Sequence, residues 1–577
     1  MKTLETDILI LGSGGAGLFA ALHARRAAPE LDVTIAVKGL LGKCGCTRMV
    51  QGGYNVALAP GDSVERHFMD TIEGGKWLPD QDLAWTLVTK AIERIHELEN
   101  ELGCFFDRNP DGTVHQKAFA GQTFDRTVHK GDLTGIEIIN RLAEQAWVSG
   151  ARRLEEHRAV EIIPAAGGGA IAGVLMIDMR SGDLALVRAR SVLLATGGGP
   201  TMYRYHTPSG DKSCDGLAMA LRAGLTLRDM EMVQFHPTGL LAGSGTRMTG
   251  TVLEEGLRGA GGYLLDGASE RFMHKYDPRN ERATRDIVSR AIFAEMRAGR
   301  STPNGGVYLA MGHLGPDEVR RQFRGMVERC ADCGFDLAGG LVEVVPTAHY
   351  MMGGVEFSAD CRTAIEGLFA AGEDTGGVHG ANRLGGNGVA NSTVFGAIAG
   401  DSMAAATAKS GARREPDNVA LAAARERALS PLGRPAGESL EEVREALYQV
   451  MWDDVGILRD AAGLARAGAR LAGLRDQLHR VGIAGSDLRY NLTWQDWLNL
   501  DSLITVSESI RASAAARCES RGAHFREDFP DTGELAASAY SRVRLPPAAA
   551  VGAGGFEVTF QPVRFTRVRP GQSLLPA

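Results

Sequence analysis

The sequence predicts an α/β chain: a parallel sheet interrupted by insertions, followed by a helical region. Two observations predict it. Three short apolar runs, far apart in sequence, each end in glycine: Asp7 to Leu11 before Gly12, Ser191 to Ala195 before Gly197-Gly198-Gly199, and Gly367 to Ala371 before Gly372-Glu373. Short apolar runs closed by glycine read as strands buried on both faces, as in parallel sheets. From Asn418 to about Arg526 the apolar residues instead recur at helical spacing, as at Leu464, Ala467, Leu471 and Leu474.

Taken in order, Asp7 to Leu11 is a strand, Ala16 to Arg26 a helix and Asp32 to Val37 a second strand, which makes one βαβ unit. Gly12, Gly14 and Gly17 between the first strand and the helix fit G-x-G-x-x-G, with Gly15 beside them. Such glycines allow a tight turn and bring a pyrophosphate close to the helix N-terminus, where free N–H groups and the dipole favour negative charge. A plain tight turn has the same residues, but the strand–turn–helix context favours a dinucleotide site. Lys38 ends the second strand, where the common fingerprint has an acid for the ribose. The motif alone does not separate FAD from a nicotinamide cofactor. The three strand-to-glycine junctions then read as one nucleotide-binding domain with insertions. The stretch from Gly239 to Val345 is one of them, with mixed character. The Pro546-Pro547 step precedes a last β-like piece, Phe556 to Val568.

Composition bounds the function. Of 577 residues, 63 are Lys or Arg and 70 are Asp or Glu, a net charge of −7 that excludes a generally basic nucleic-acid binder. Gly is high, at 74 residues, which fits many tight turns and close backbone approaches to a ligand. The eight cysteines are too sparse for a disulfide scaffold and form no iron–sulfur pattern. Cys330 and Cys333 form a C-x-x-C with no second pair nearby, and read as incidental thiols rather than a metal or redox pair. The N-terminus lacks the basic region and cleavage site of a secretory signal, and no apolar run of about 18 residues is long enough to span a membrane. A reducing cytoplasm is the default compartment. The charged stretch Arg475 to Arg489 reads as a solvated or partner-facing surface, and the arginine-rich tail (Arg564, Arg567, Arg569) as a segment that closes the fold.

Further motifs occur in order: Gln51-Gly52-Gly53, Asp229-Met-Glu-Met-Val-Gln-Phe-His236-Pro-Thr-Gly, Glu255-Gly-Leu-Arg258-Gly and Thr284-Arg285-Asp286-Ile-Val-Ser. They continue with Pro346-Thr-Ala-His349-Tyr-Met-Met-Gly-Gly, His379-Gly-Ala-Asn-Arg383-Leu-Gly-Gly-Asn387, Glu519-Ser-Arg-Gly-Ala-His and Val563-Arg-Phe-Thr-Arg-Val-Arg-Pro. Together, over essentially the whole chain, they resemble the flavoprotein subunits of succinate dehydrogenase and fumarate reductase. The related L-aspartate oxidases share most of the set.

The resemblance implies an α/β fold: a Rossmann-like FAD-binding domain (1–238 and 346–410), an inserted α+β capping domain (239–345), a helical domain (418–535) and a small C-terminal domain (540–577). It implies that His236, His349 and Arg383 grip a dicarboxylate. A planar guanidinium suits that task because it makes two parallel hydrogen bonds to a carboxylate. Arg285 matches the proton-transfer residue. Glu255 and Arg258 match a relay that reloads it, and Arg126 matches an arginine near the same path. For FAD, the resemblance gives the N-terminal glycines to the pyrophosphate, Lys38 to the adenosine end, and Gln51, Gly52 and Gly53 to the flavin. It gives Asp215 and Glu373 to the flavin and its ribityl chain, and the backbone of Asn387, Gly388 and Val389 to the isoalloxazine ring. It implies an iron–sulfur partner subunit, with a quinone beyond it. The membrane would be reached indirectly, through anchor subunits, from the inner face of the cell membrane.

Two positions depart from the family pattern. Cys46 stands where succinate dehydrogenases carry the His that bonds the flavin, so non-covalent FAD is expected. Glu254 stands where the family has a Thr that helps bind a substrate carboxylate. A second negative charge there would repel a carboxylate, so Glu254 points away, is protonated, or faces a substrate with a positive group such as an α-amine. The last alternative keeps an aspartate-like substrate open. Met351-Met352 sides with the succinate/fumarate group, because aspartate oxidases tend to carry Cys at the position of Met352. The rivals are a self-contained L-aspartate oxidase-like enzyme and a non-catalytic, FAD-loaded assembly subunit; the intact Arg285, His236, His349 and Arg383 argue against the second.

Overall fold

The computed structural model describes residues 1–243, 246, 248–435, 437–485, 487–546 and 555–576; Pro547 of the expected proline step lies outside them. The three glycine-ended runs become neighbouring strands of one five-stranded sheet. Its order is Leu368–Ala370, Ser191–Leu194, Ile8–Leu11, Val33–Val37, Arg152–Glu155, and every pairing is parallel. The chain builds outward to one side of Ile8–Leu11 and then returns to its other side. This reversal opens a crevice beyond the carboxyl ends of Ile8–Leu11 and Ser191–Leu194, where ligands of such sheets bind. Ile8, Leu9 and Ile10 have no solvent exposure, as a strand covered on both faces requires.

Helix Gly15–Ala27 lies against helix Asn387–Lys409. Their close approach depends on Gly396 and Gly400, where an added Cβ would sit 2.6 and 2.4 Å from the carbonyl oxygens of Ala16 and Ala20. A second sheet pairs Lys2–Glu5 with Asp183–Arg188, Ile171–Asp178 and His157–Pro164.

The inserted stretch is built on an antiparallel sheet in the order Val233–Leu240, Leu341–Met351, Val307–Ala310, Tyr263–Leu265. Its first two strands continue into the nucleotide-binding part, so the boundaries drawn at 239 and 345 fall inside paired strands. Those strands carry His236 and His349 at the same end of their ladder, where His236 pairs with Thr347 and Gln234 with Tyr350, which fixes both to one rigid frame.

The helical region holds Asn418–Leu429, Leu440–Asp453, Ala461–Arg480 and Leu492–Ala516. Asp417, Ser439, Asp460 and Asn491 each cap one of them by accepting from a free N–H in the first turn. Leu464, Ala467, Leu471 and Leu474 are all buried, as their spacing predicts. Arg475 departs from the expected solvated surface. It is buried and its guanidinium is bonded to Glu508 at 2.6 and 3.1 Å, because it lies on the face that packs against Leu492–Ala516.

The last β-like piece forms strand Glu557–Pro562, which pairs with Ala539–Arg544; that hairpin joins Leu227–Arg228 and Gly354–Val355. The tail then closes onto helix Gln81–Asn100. The Gln81 side chain bonds the backbone of Arg567 and Val568, and the Arg567 guanidinium lies 4.6 Å from the centre of the Trp85 ring. Among the described residues, no helix is long and apolar enough to cross a membrane.

Candidate active site

A cavity of about 550 Å³ runs from the glycine turn after Ile8–Leu11 to the ends of the antiparallel sheet. Gly12, Gly14 and Gly15 line its first end. Gly12 has φ +113°, and a Cβ there would lie 2.1 Å from the Ala195 carbonyl oxygen, so only glycine fits the turn. Gly17 does not reach the cavity. A Cβ on it would meet the Gly12 oxygen at 2.1 Å, so its part is to let the helix pack against the turn.

Lys38 borders the same end. Its ammonium bonds the Asp215 carboxylate at 2.9 Å, and Arg158 bonds the other oxygen of that carboxylate at 2.8 Å. Burial alone would raise Asp215, but Arg158 and Lys38 hold it well below the usual carboxylate range. Asp215, expected beside the flavin and its ribityl chain, therefore sits with Lys38. Its place at the start of helix Asp215–Arg222 puts it there. Arg158 is a cavity residue that the motifs do not reveal.

Along the middle lie Gln51, Gly52, Gly53, Cys46, Glu373 and Val389. A Cβ on Gly52 would stand 2.4 Å from the Phe119 ring. Gln51 donates to the Val252 carbonyl at 3.2 Å, while its buried Oε1 has no hydrogen-bond partner. Burial pushes the Cys46 thiol up to about 12, with Glu373 adding to the rise, so the thiol is protonated. Burial likewise raises Glu373 to about 7, although it accepts the Met351 N–H at 3.0 Å. Gly386 and Gly388 line the cavity, but Asn387 does not. The Asn387 side chain turns away, to Asn55, His67 and Thr71, because it opens helix Asn387–Lys409 on the side that faces that buried polar cluster.

The far end gathers His236, His349, Arg285, Arg383, Glu254 and Glu255. The imidazoles of His236 and His349 stand 5.4 Å apart, centre to centre. Burial, reinforced by Arg285, holds both well below 6.5, so both are neutral at pH 7. The Thr238 N–H points at His236 Nδ1 at 3.3 Å. That nitrogen must accept, so Nε2 carries the proton and is free to donate. His349 Nδ1 shares a hydrogen bond with the Thr207 hydroxyl at 2.8 Å.

Arg383 is buried and, among the described residues, has no carboxylate partner. It donates to the Leu384 carbonyl at 3.3 Å and lies 4.4 Å from the centre of the Tyr350 ring, while its Nε has no partner. Burial and the neighbouring Arg285 lower it to about 10, so it stays a cation at pH 7. A buried guanidinium with free donors is a ready site for a carboxylate.

Arg285, Glu255 and Arg258 form one continuous chain. Arg285 donates to Glu255 Oε2 at 2.7 and 3.2 Å, and Arg258 donates to Oε1 at 3.1 Å. Glu255 stands just before helix Gly256–Gly259, without a side-chain cap bond, and Arg258 lies within that helix, so the i, i+3 spacing brings the two together as expected. Burial would raise Glu255, but Arg285 and Arg258 hold it below the ordinary value and therefore ionised. Arg258 does not border the cavity; its other arm bonds the Glu281 carbonyl at 2.8 Å. Gln234 accepts from Arg285 at 3.0 Å. The sequence had a signal for this contact, since residues 234 and 236 share one face of a strand.

Arg126 stands apart from the chain. It is fully buried, forks onto Asp62 with two bonds of 3.0 Å and also bonds Asp70. With its donors taken by two carboxylates, it has no bond to Glu255 or Arg258. Glu254 lines the cavity, but its charge is answered: Lys117, 137 residues earlier, is bonded to its Oε1.

The cavity fits FAD at its glycine end and along its middle. The glycine turn leaves space where a pyrophosphate meets the helix start, and the buried Gln51 Oε1 lacks a donor beside Gly52 and Gly53. Residues 7–389 match the family model described as an FAD binding domain, and residues 444–574 match the model of the fumarate reductase flavoprotein C-terminus. The chain is 40% identical over 531 residues to a fumarate reductase (CoM/CoB) subunit of Methanothermobacter marburgensis, covering 92% of this chain and 95% of that one. It is 37% identical to the fumarate reductase flavoprotein subunit of Escherichia coli over 547 residues, covering 92% and 89%. A solved structure of E. coli quinol fumarate reductase FrdA superposes with a TM-score of 0.92 at 33% identity, covering 99% of each chain. Sdh1 of Mycobacterium smegmatis in complex with UQ1 gives 0.86 at 34% identity, covering 98% and 95%. The chain is an FAD-dependent oxidoreductase and belongs to the family of flavoprotein subunits of fumarate reductase and succinate dehydrogenase.

Proposed function

We propose that the chain interconverts succinate and fumarate as the flavoprotein subunit of a complex, passing electrons to an iron–sulfur subunit, then to a quinone. One observation carries this reading: the Arg285–Glu255–Arg258 chain ends in the same cavity wall as His236, His349 and Arg383. FAD, when bound, supplies hydride exchange with the substrate carbon. Everything else falls to the protein. Arg383 takes one substrate carboxylate with its free donors. The Nε2–H of neutral His236, with His349, donates to the other. Arg285 gives a proton to the substrate carbon in the reductive direction. An arginine is a poor acid, with an ordinary pKa above about 12, so it must be reloaded at once. Glu255, bonded to both guanidiniums, is placed to return the proton from Arg258.

We assign FAD binding to residues 1–238 and 346–410, the cap to 239–345, the helical domain to 418–535 and the C-terminal domain to 540–577. FAD is held without a covalent bond, because Cys46 presents a protonated thiol where the family's linking His stands. The membrane is reached only through partner subunits, from its inner face. Lys117 gives Glu254 a counter-ion from the protein, which favours a substrate without a positive group.

The test is to purify the native protein with whatever binds it and precipitate it with acid. Flavin freed into the supernatant, an iron–sulfur subunit in the pellet and fumarate reduction before precipitation are the expected results. Flavin fixed to the chain contradicts the non-covalent assignment. Activity with no partner subunit supports the aspartate-oxidase-like alternative.

A further inference from the structure

The far end of the cavity holds an ion pair that its catalytic chain does not use. Glu254 is buried, with one carboxylate oxygen bonded to Lys117. Lys117 lies on the short strand Gln116–Lys117, in the small sheet with Tyr54–Asn55 and Thr127–Val128, whereas Glu254 comes from the inserted stretch. Lys117 itself does not border the cavity; it stands behind Glu254, with its ammonium 3.5 Å from the Gly131 carbonyl and 5.8 Å from the centre of the Phe119 ring. The second carboxylate oxygen of Glu254 has no hydrogen bond among the described residues.

The charges gathered at this end decide what the pair does. The guanidiniums of Arg285, Arg383 and Arg258 stand with the carboxyl groups of Glu255 and Glu254; burial pushes Glu254 above the ordinary carboxylate value, and Lys117 opposes that rise. His236 and His349 are neutral. Arg329 and Asp132, of opposite formal charge, also border the cavity. With Glu254 and Glu255 both ionised, the formal sum over the three guanidiniums and these two carboxyls is one positive charge, and Lys117 makes it two. A dicarboxylate carries two negative charges at pH 7. In a buried site a single uncompensated carboxylate is costly, and a second anion placed beside it is repelled.

We infer that the Lys117–Glu254 pair is a specificity-determining element that matches the site to a dianion: Lys117, from behind, cancels the charge that Glu254 brings to the carboxylate-binding wall. This inference rests on the dicarboxylate reading above. Glu254 then faces the substrate as one half of a pair with no net charge, where the family pattern has a hydroxyl. The pair also spans the inserted stretch and the flavin-binding part, so the cancellation holds only while the two are together.

The experiment is a double-mutant cycle on the FAD-loaded complex, with fumarate as the probe and reduced viologen as electron donor. Lys117→Met leaves Glu254 unpaired and is expected to raise KM for fumarate more than tenfold, with a far smaller change in kcat. Glu254→Thr is expected to lower KM or leave it near that of the native protein. The double variant, Lys117→Met with Glu254→Thr, is expected to recover at least most of the loss. The single-charge monomethyl fumarate is expected to respond less to Lys117→Met than fumarate does. A KM for Lys117→Met within threefold of the native value overturns the inference. So does a double variant no better than Lys117→Met, which would mark Lys117 as a purely structural residue. If the native complex itself turns over no fumarate, the dicarboxylate reading fails first, and the two failures stay distinct. Flavin content of each variant reports whether it has folded.

Discussion

Replacing Glu255 by Gln tests the relay at its narrowest point. Glu255 accepts three hydrogen bonds from two guanidiniums: 2.7 and 3.2 Å from Arg285 and 3.1 Å from Arg258. Gln keeps the shape but loses the charge and one acceptor. Each charge-assisted hydrogen bond is worth about 1.5–3 kcal/mol, so weakening one alone costs roughly tenfold to 150-fold. Loss of a positioned acid–base group adds a typical factor of about 10²–10⁴. The two overlap, because the bonds that position Arg285 are the ones that reload it. A fall in kcat of about 10²–10³ for fumarate reduction is therefore expected, with KM changing much less, since Glu255 does not grip the carboxylates. Stopped-flow oxidation of the reduced enzyme by fumarate reads the step directly, and flavin content checks the fold. A kcat within fivefold of the native protein would refute the relay.

Three further outcomes follow from the geometry. Tyr350→Leu removes the ring under the Arg383 guanidinium; a cation–π contact worth about 0.5–2 kcal/mol predicts a two- to thirtyfold rise in KM for fumarate, and an unchanged KM contradicts the positioning of Arg383 by that ring. In the free enzyme His236 and His349 are held well below 6.5 by burial and Arg285, so they gain protons only at much lower pH. The plot of log kcat/KM against pH should then show no imidazole break between pH 6 and 8, and a break near 6.5 that His349→Gln abolishes would count against neutral imidazoles. Gly17→Ala sets a Cβ 2.1 Å from the Gly12 carbonyl oxygen, which the backbone must absorb at about 1–3 kcal/mol. Loss of bound FAD and a lower melting temperature are expected, and full retention of both would show that the turn has room.

The sheet was legible because buried parallel strands leave a local signature: each of the three runs is apolar and each stops at glycine. The Arg258–Glu255 contact was legible for the same reason, since helical spacing brings i and i+3 together. The capped helices beyond Asn418 follow from the same periodicity. What failed was whatever depends on long-range approach. Lys117 meets Glu254 across 137 residues, and no pattern near either one announces it. Arg158 reaches Asp215 from a neighbouring sheet and so draws Asp215 to the Lys38 end. Asn387 sits inside a recognisable motif, but the buried cluster of Asn55, His67 and Thr71 decides where its side chain points. Arg475 has a charged neighbourhood in sequence and a carboxylate partner in space, which buries it. Arg126 likewise belongs to a carboxylate pair, Asp62 and Asp70, that its own segment does not contain.

In the proposed reaction Arg285 delivers the substrate proton in a cavity built for a dicarboxylate. The most direct measurement is anaerobic: reduce the FAD-loaded complex, mix it with fumarate, and follow the return of the oxidised flavin absorbance in the native protein and in Arg285→Gln. Fast reoxidation is expected in the native protein with one succinate formed per flavin, and loss of at least two to three orders of magnitude in the variant while flavin stays bound. Equal reoxidation rates in the two proteins would contradict that role of Arg285.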